Sequence, residues 1–290
     1  MKTTIRSVLY VPGINPRMMS KALASPAHAI VFDLEDSVSP EQKDMARRAV
    51  ADFLLEHRDE ADGRTVVIRV NGDGTPYWRE DIAMAREARP DAVLLPKVEN
   101  AAAIERAAVA LSTTPPTPPA IWSMVETALG ILKLEDTIEN GPRHGLECLV
   151  LGTNDLAKDA RVEIESLHSD LSAWISHIML VSHAFGIPAI DGVLNDIHDQ
   201  ARLKMECERA RSIGMQGKSV IHPSQIGIVN QSFRPSESEI SWWKRIVSVY
   251  ALPENRDKGV LSIDNIMVER LHLETALENL RNLDSEDRAG

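Results

Sequence analysis

The sequence predicts a (β/α)8 barrel with a C-terminal helical extension. Short apolar runs rich in β-branched residues alternate with longer amphipathic stretches from the start of the chain. The runs number eight, the count at which strand–helix units close on themselves. The other parallel architecture, an open doubly wound sheet, calls for a GxGxxG turn after the first strand; here that turn reads Val11-Pro12-Gly13-Ile14-Asn15-Pro16, with the wrong spacing.

The expected strands are Ser7–Val11, Ala29–Asp33, Thr65–Val70, Ala92–Leu95, Ala120–Val125, Glu147–Leu151, Ile187–Ile190 and Gly217–Ile221. Between them, Pro40–His57 reads as a helix: Ser39 can cap it, Pro40 suits its first position, and Met45, Ala49, Phe53 and Leu54 line one face. Further helices are expected near Tyr77–Arg89, Asn100–Leu111, Ser169–Phe185 and Asp196–Ile213. The proline-rich run Thr113–Pro119 resembles a linker, but the strand after it resumes the rhythm, so it reads as a loop on the barrel's N-terminal face. A helix near Ser236–Ala251 completes a barrel domain over 1–251. The extension over 252–290 comprises a polar stretch, Pro253–Lys258, and a helix over Ile263–Leu280 with an apolar stripe of Ile263, Met267, Leu271, Leu277 and Leu280. That helix has no strand to cover, so it is expected to pack on a barrel face or a neighbouring subunit.

Composition narrows the function. The 290 residues hold 43 acidic and 32 basic side chains, a net charge of −11, which speaks against binding nucleic acid or an anionic membrane. The N-terminus has no apolar signal core and no long apolar run follows, so a cytoplasmic protein is expected. Cys148 and Cys207 cannot build a disulfide framework and read as reduced, buried thiols.

In such barrels the reactive groups sit at the C-terminal ends of the strands. Those ends carry Asp33-Leu34-Glu35-Asp36, Arg69-Val70-Asn71, Lys97, Glu126, Gly152-Thr153-Asn154-Asp155, Asp191 and His222. Glu126 and Asp155 fit as oxygen ligands of a hard cation such as Mg²⁺, or equally as helix caps. Arg69 fits as a bidentate clamp on a substrate carboxylate, or as a salt-bridge partner of Asp33 or Glu35; the two readings are compatible. The amides of Gly152, Thr153 and Asn154 fit an anion cradle at a helix start. His222 before Pro223 reads as a helix-start histidine. No nucleophile elbow with a serine, histidine and acid is visible, so acyl chemistry has no obvious nucleophile.

These same residues carry a resemblance. Arg6-Ser7-Val8-Leu9-Tyr10-Val11-Pro12-Gly13, Phe32-Asp33-Leu34-Glu35-Asp36-Ser37-Val38, Ile68-Arg69-Val70-Asn71, Leu95-Pro96-Lys97, Val125-Glu126-Thr127, Leu151-Gly152-Thr153-Asn154-Asp155-Leu156 and Gly217-Lys218-Ser219-Val220-Ile221-His222-Pro223 resemble the citrate lyase β-subunit family. That family includes malyl-CoA and citramalyl-CoA lyases, and the match is collinear from about residue 6 to 235.

The resemblance implies a trimeric or hexameric barrel that uses Mg²⁺ to cleave a β-hydroxyacyl-CoA thioester to acetyl-CoA and a keto acid. It implies Glu126 and Asp155 as metal ligands, Arg69 and the amides around Gly152, Thr153, Asn154 and Asp155 as keto acid contacts, and Asp33, Glu35, Asp36 and Lys97 as their supports. Arg17 and Lys21 are candidate partners for the CoA phosphates. Relatives end a post-barrel segment in an aspartate that serves a neighbouring subunit's site as the proton donor or acceptor; here that segment is Ile263-Asp264-Asn265-Ile266-Met267-Val268-Glu269, so Glu269 takes the place. Asp159–Glu165 also lacks a glycine common in relatives. Two alternatives stand beside this reading: an enzyme that keeps the enolate chemistry but adds thioester hydrolysis, malate-synthase-like or thioesterase, and, kept open by the altered C-terminal motif, a non-catalytic citrate lyase β-like subunit with an acyl-carrier partner.

Overall fold

Alternation along each strand decides which side chains fill the barrel and which meet the helices. In β2 (Ala29–Asp33), Ala29 and Val31 belong to the inner cluster, which also holds Val8, Val67, Leu94, Trp122, Met124, Cys148, Val150 and Ile190. Ile30 and Phe32 belong to the larger layer between sheet and helices. Burial on both faces is why the strands read as nearly unbroken apolar runs. The other strands of this computed structural model are β1 (Ser7–Pro12), β3 (Thr65–Arg69), β4 (Ala92–Leu95), β5 (Ala120–Val125), β6 (Leu146–Leu151), β7 (Ala189–Asp191) and β8 (Gly217–Val220). Each is parallel to its sequence neighbour, and β8 returns to β1 with Ser7 opposite Lys218 and Leu9 opposite Val220. The sheet is a closed eight-stranded barrel, which excludes the open sheet.

The structure describes residues 4–61, 63–112, 117–164 and 171–289, with side chains as far as 283. It divides into two compact units, Ile5–Phe233 and one built on Arg234–Gly290. Of the proline-rich run, residues 113–116 lie outside the described residues, as do Glu165 and the expected helix start at Ser169. No helix among the described residues is long and apolar enough to cross a membrane.

The barrel helices are α1 (Pro16–Leu23), α2 (Lys43–His57), α3 (Trp78–Ala88), α4 (Ala101–Leu111), α5 (Ala128–Leu132), α6 (Leu134–Asn140), α7 (Thr153–Ala160), α8 (Ser172–Phe185), α9 (Gln200–Ser212) and α10 (Pro223–Ser232). Two expectations for α2 need correction. Ser39 does not cap it: Pro40–Gln42 forms a 3-10 turn, and the Ser39 hydroxyl donates to Gln42 Oε1 instead. The buried face is Ala46, Val50, Phe53 and Leu54 rather than one through Met45, which is exposed. A stripe begun one residue early is turned about 100° around the helix.

The C-terminal unit departs further. Helix α11 (Glu237–Tyr250) opens with a capping box between Ser236 and Glu239 and shares a core with the segment C-terminal to it, so the units part after Phe233 rather than at residue 251. The expected Ile263–Leu280 helix begins only at Arg270, as α12 (Arg270–Ala289). Before it, β9 (Val260–Ile263) and β10 (Ile266–Glu269) form an antiparallel hairpin. Asp264 and Asn265 make its two-residue turn at φ +51° and +66°, the conformation short polar side chains tolerate best. Ile263 and Val268 are buried beside Ile246, Tyr250 and Ala276, while Met267 and Leu271 are exposed, so no single stripe exists. The Tyr250 hydroxyl donates to Val268 O at 2.9 Å.

On the helix side of β8, Lys218 Nζ lies 2.6 Å from Asp191 Oδ2 and 3.0 Å from Glu206 Oε2, with Lys218 and Asp191 wholly buried. Neither cysteine is in a disulfide: burial pushes the thiol of Cys207, beside this group, up to about 12, and Cys148 is buried as well. Losing one member of a buried ionic group strands the others, at about 3–5 kcal/mol. Lys218→Met should therefore lower the urea midpoint steeply, whereas replacing Lys218, Asp191 and Glu206 together by apolar residues should recover most of the loss.

Candidate functional site at the barrel mouth

Asp33 and Arg69 end neighbouring strands in register. Arg69 donates from Nε to Asp33 Oδ1 and from Nη2 to Asp33 Oδ2, both at 2.7 Å. Its Nη1 lies 3.0 Å from Glu35 Oε2 and 3.5 Å from Asp36 Oδ2. The salt-bridge reading of Arg69 is thus realised, and one side of the fork is committed to Asp33. The guanidinium still borders the cavity, stacked 5.3 Å from the Tyr10 ring centroid. Burial would raise the Asp33 carboxyl, but the charge and hydrogen bonds of Arg69 outweigh it and hold the group below its usual range. The second lone pairs of Asp33 accept from the Glu35 and Ser37 amides at 2.8 and 3.1 Å, which shapes the loop after β2.

That loop delivers Glu35 to Lys97, whose Nζ donates to Glu35 Oε1 at 2.7 Å and lies 3.5 Å from Asp155 Oδ1. Lys97 sits at φ +52°, a left-handed conformation unusual for a residue with a Cβ. Its backbone N–H then donates to Glu126 Oε1 at 2.7 Å. Glu126 is almost wholly buried, and its other oxygen, Oε2, has no hydrogen-bond partner. Burial, then the charges of Glu35 and Asp155, push its carboxyl up to about 8. The helix-cap reading of Glu126 fails, because Thr127 caps α5 by accepting from Gly130 N. Gly152 is required beside it, since a Cβ there would collide with Glu126 Oε2.

Asp155 lies in the first turn of α7, next to the Thr153 and Asn154 amides, which have no partner within the helix by position. The Asn154 side chain is spent on a reciprocal pair with Asn195, at 3.1 and 2.8 Å. Gly152, Thr153, Asn154, Asp155, Asp33, Asp36 and Arg69 all border one cavity of about 440 Å³. Glu35, Lys97 and Glu126 stand behind that wall.

Arg17 and Lys21 are not among the lining residues: both are exposed on α1, and Met18 borders the cavity instead. Glu269 is carried by the C-terminal unit, where its backbone N–H donates to His272 Nδ1. His222 caps α10, as expected. Sequence reasoning missed Tyr10, Met124 and Ser219, which border the cavity from inside the strands. Their signal was a hydroxyl or thioether on an inward position of an otherwise apolar run.

Among the described residues no three histidine, cysteine or carboxylate side chains converge as a ready-made metal cage. A cation that keeps water or substrate oxygens, as Mg²⁺ does, needs only one or two carboxylates. An unpartnered buried oxygen on Glu126 beside Asp155, in a cluster with more carboxylates than cations, fits that requirement.

Three comparisons agree. The chain is 38% identical over 275 residues to a (3S)-malyl-CoA thioesterase of Cereibacter sphaeroides, covering 95% of this chain and 93% of that one. It is 30% identical over 278 residues to the human mitochondrial citramalyl-CoA lyase, covering 91% and 81%. Its structure is similar to that of CitE from Mycobacterium tuberculosis in complex with magnesium, acetoacetate and coenzyme A, with a TM-score of 0.80, 27% identity and coverage of 97% and 99%. With residues 6–223 also matching the family model, the chain belongs to the HpcH/HpaI aldolase/citrate lyase family.

Proposed function

We propose that this chain is a Mg²⁺-dependent carbon–carbon lyase that cleaves a β-hydroxyacyl-CoA thioester of the malyl, citramalyl or citryl type to acetyl-CoA and a keto acid. The observation that carries this reading is the buried Glu126 carboxylate with one unpartnered oxygen, beside Asp155. The human citramalyl-CoA lyase and the magnesium-containing CitE structure support it.

Glu126 and Asp155 would hold the ion, which would act as a Lewis acid toward the substrate's hydroxyl and carboxylate oxygens. The amides of Thr153, Asn154 and Asp155 would donate to that carboxylate, and Arg69, fixed by Asp33, would add Nη1. Cleavage removes the hydroxyl proton, converts the C–O bond to a carbonyl and leaves the electron pair of the broken C–C bond on the thioester's α-carbon. That enolate carbon must then be protonated. Glu269 of a neighbouring subunit in a trimer or hexamer is the proposed acid/base: its carboxylate would take the hydroxyl proton and, once protonated, give it to that carbon.

Thioester hydrolysis at the same site is the second reading, favoured by the 38% identity to a thioesterase. Incubating the purified protein with Mg²⁺ and each of malyl-, citramalyl- and citryl-CoA decides between them. Acetyl-CoA with a keto acid is the lyase outcome, free CoA with a hydroxy acid the hydrolase outcome, and no turnover of any of them would refute both.

Glu126→Gln and Asp155→Asn should each abolish Mg²⁺-dependent turnover and weaken Mg²⁺ in calorimetry, with circular dichroism unchanged. The amide oxygen that Glu126→Gln introduces can still accept the Lys97 N–H. Near-normal activity at limiting Mg²⁺ would remove the residue from the ligand set.

Arg69→Lys loses both parallel bonds to Asp33, so it should weaken keto acid binding about tenfold or more and also lower the melting temperature. Unchanged affinity for pyruvate, oxaloacetate and glyoxylate would exclude Arg69 as a substrate contact.

Glu269→Gln should collapse cleavage without weakening Mg²⁺ binding. Mixed with inactive Glu126→Gln subunits it should regain part of the activity, because some sites would combine an intact metal pair with an intact neighbouring acid. No recovery after demonstrated subunit exchange would exclude the shared site.

A further inference from the structure

The loop after β2 is held on two sides. Arg69 binds its Asp33 and Glu35 carboxylates, and Lys43, the first residue of α2, binds its backbone. Lys43 Nζ donates to the Leu34 and Glu35 carbonyls, each at 2.7 Å, and lies 5.6 Å from the Tyr77 ring centroid. The residue is 6% exposed and does not border the cavity.

Satisfying those carbonyls does not require a lysine. Leu34 O also accepts from Asn71 Nδ2 at 2.9 Å, and Glu35 O from Val38 N at 3.1 Å, so each has a second donor. Nor do the nearby acids lack counter-ions. Burial pulls the Lys43 pKa below its usual range, against the charges of Asp33, Asp81, Glu35 and Asp36. Each of those four meets another cation: Arg69 for Asp33 and Asp36, Arg47 for Asp81, and Lys97 for Glu35. Lys43 itself makes no ion pair among the described residues. A buried ammonium of this kind is costly to desolvate and is not accounted for by packing.

What it does is geometric. A cation that binds two successive carbonyls fixes two consecutive peptide planes, and the Cα between them is that of Glu35. The Glu35 side chain therefore leaves the backbone in a set direction, and it joins Arg69 Nη1, at 3.0 Å, to Lys97 Nζ, at 2.7 Å. Lys97 in turn offers its backbone N–H to Glu126 Oε1.

We infer that Lys43 is a positioning residue for the metal pair: by fixing the peptide planes on either side of Glu35 it sets Lys97 and, through the Lys97 backbone, the Glu126 carboxylate. The inference rests on the Mg²⁺ site proposed above and adds to it a side chain of α2 that stands outside the cavity.

Calorimetric titration of wild type, Lys43→Met, Glu35→Gln and the double variant with Mg²⁺ tests it, with melting temperatures recorded alongside. Methionine keeps the apolar stem of lysine and removes the ammonium. Charge alone predicts tighter Mg²⁺ binding in Lys43→Met, since a cation has left an acidic site. Positioning predicts the opposite: binding about ten- to hundredfold weaker, the scale on which outer partners of metal ligands act. The variant should melt within about 5 °C of wild type, because no carbonyl loses its last donor and no carboxylate its last cation. Glu35→Gln should weaken Mg²⁺ as well, and the double variant should be about as weak as the weaker single one, because both changes break the same link.

Mg²⁺ affinity in Lys43→Met that is strengthened or unchanged within about twofold, losses that multiply in the double variant, or a larger fall in melting temperature would overturn the positioning role alone. Failure of the wild type to bind Mg²⁺ would overturn the proposed metal site and this inference together.

Discussion

The barrel mouth depends on the Asp33–Arg69 pair. These residues form the last rung between two neighbouring strands, and the two parallel bonds between them set where everything else can stand. Arg69 keeps Asp33 ionised in a buried place, and Asp33 in turn gathers the amides of the next loop. The loop presents Glu35 to Lys97, and Lys97 presents its backbone to Glu126. The ionic groups therefore form one continuous chain across four strands. Such a network is rigid only while complete, since a missing member leaves a buried charge unpaired.

The completed network still ends on an unsatisfied oxygen. Lys97 satisfies one oxygen of Glu126 at the expense of a strained backbone, and the other faces the glycine that makes room for it. Local backbone geometry and site electrostatics meet in that residue. Strain of this kind persists where the surroundings over-determine it, and sites that bind ions or reacting groups are where it collects.

Much of this is legible in the sequence, for identifiable reasons. Parallel strands buried on both faces leave apolar runs too regular to miss, and barrel geometry fixes which ends carry chemistry, so Asp33, Arg69, Lys97, Glu126 and Asp155 stand out as strand-end charges. Tyr10 and Ser219 do not, because they lie inside strands, where a hydroxyl looks like tolerated packing. The pairing of Asn154 with Asn195 joins residues far apart in sequence and has no local signal. The hairpin at Val260–Glu269 passes for helix because its apolar residues also satisfy a period of three or four, and Asp264-Asn265 is the turn signal to weigh against it. Ser39 has the right identity for a cap but stands before a 3-10 turn rather than the helix proper.

The two cysteines have a practical consequence. Cys148 is enclosed within the barrel, and Cys207 is buried next to the Lys218 group with its thiolate strongly disfavoured. Maleimide and similar reagents attack thiolates that solvent can reach, so neither position should react while the chain is folded. A fluorophore or spin label could then be directed to a single added surface cysteine without first removing the native pair.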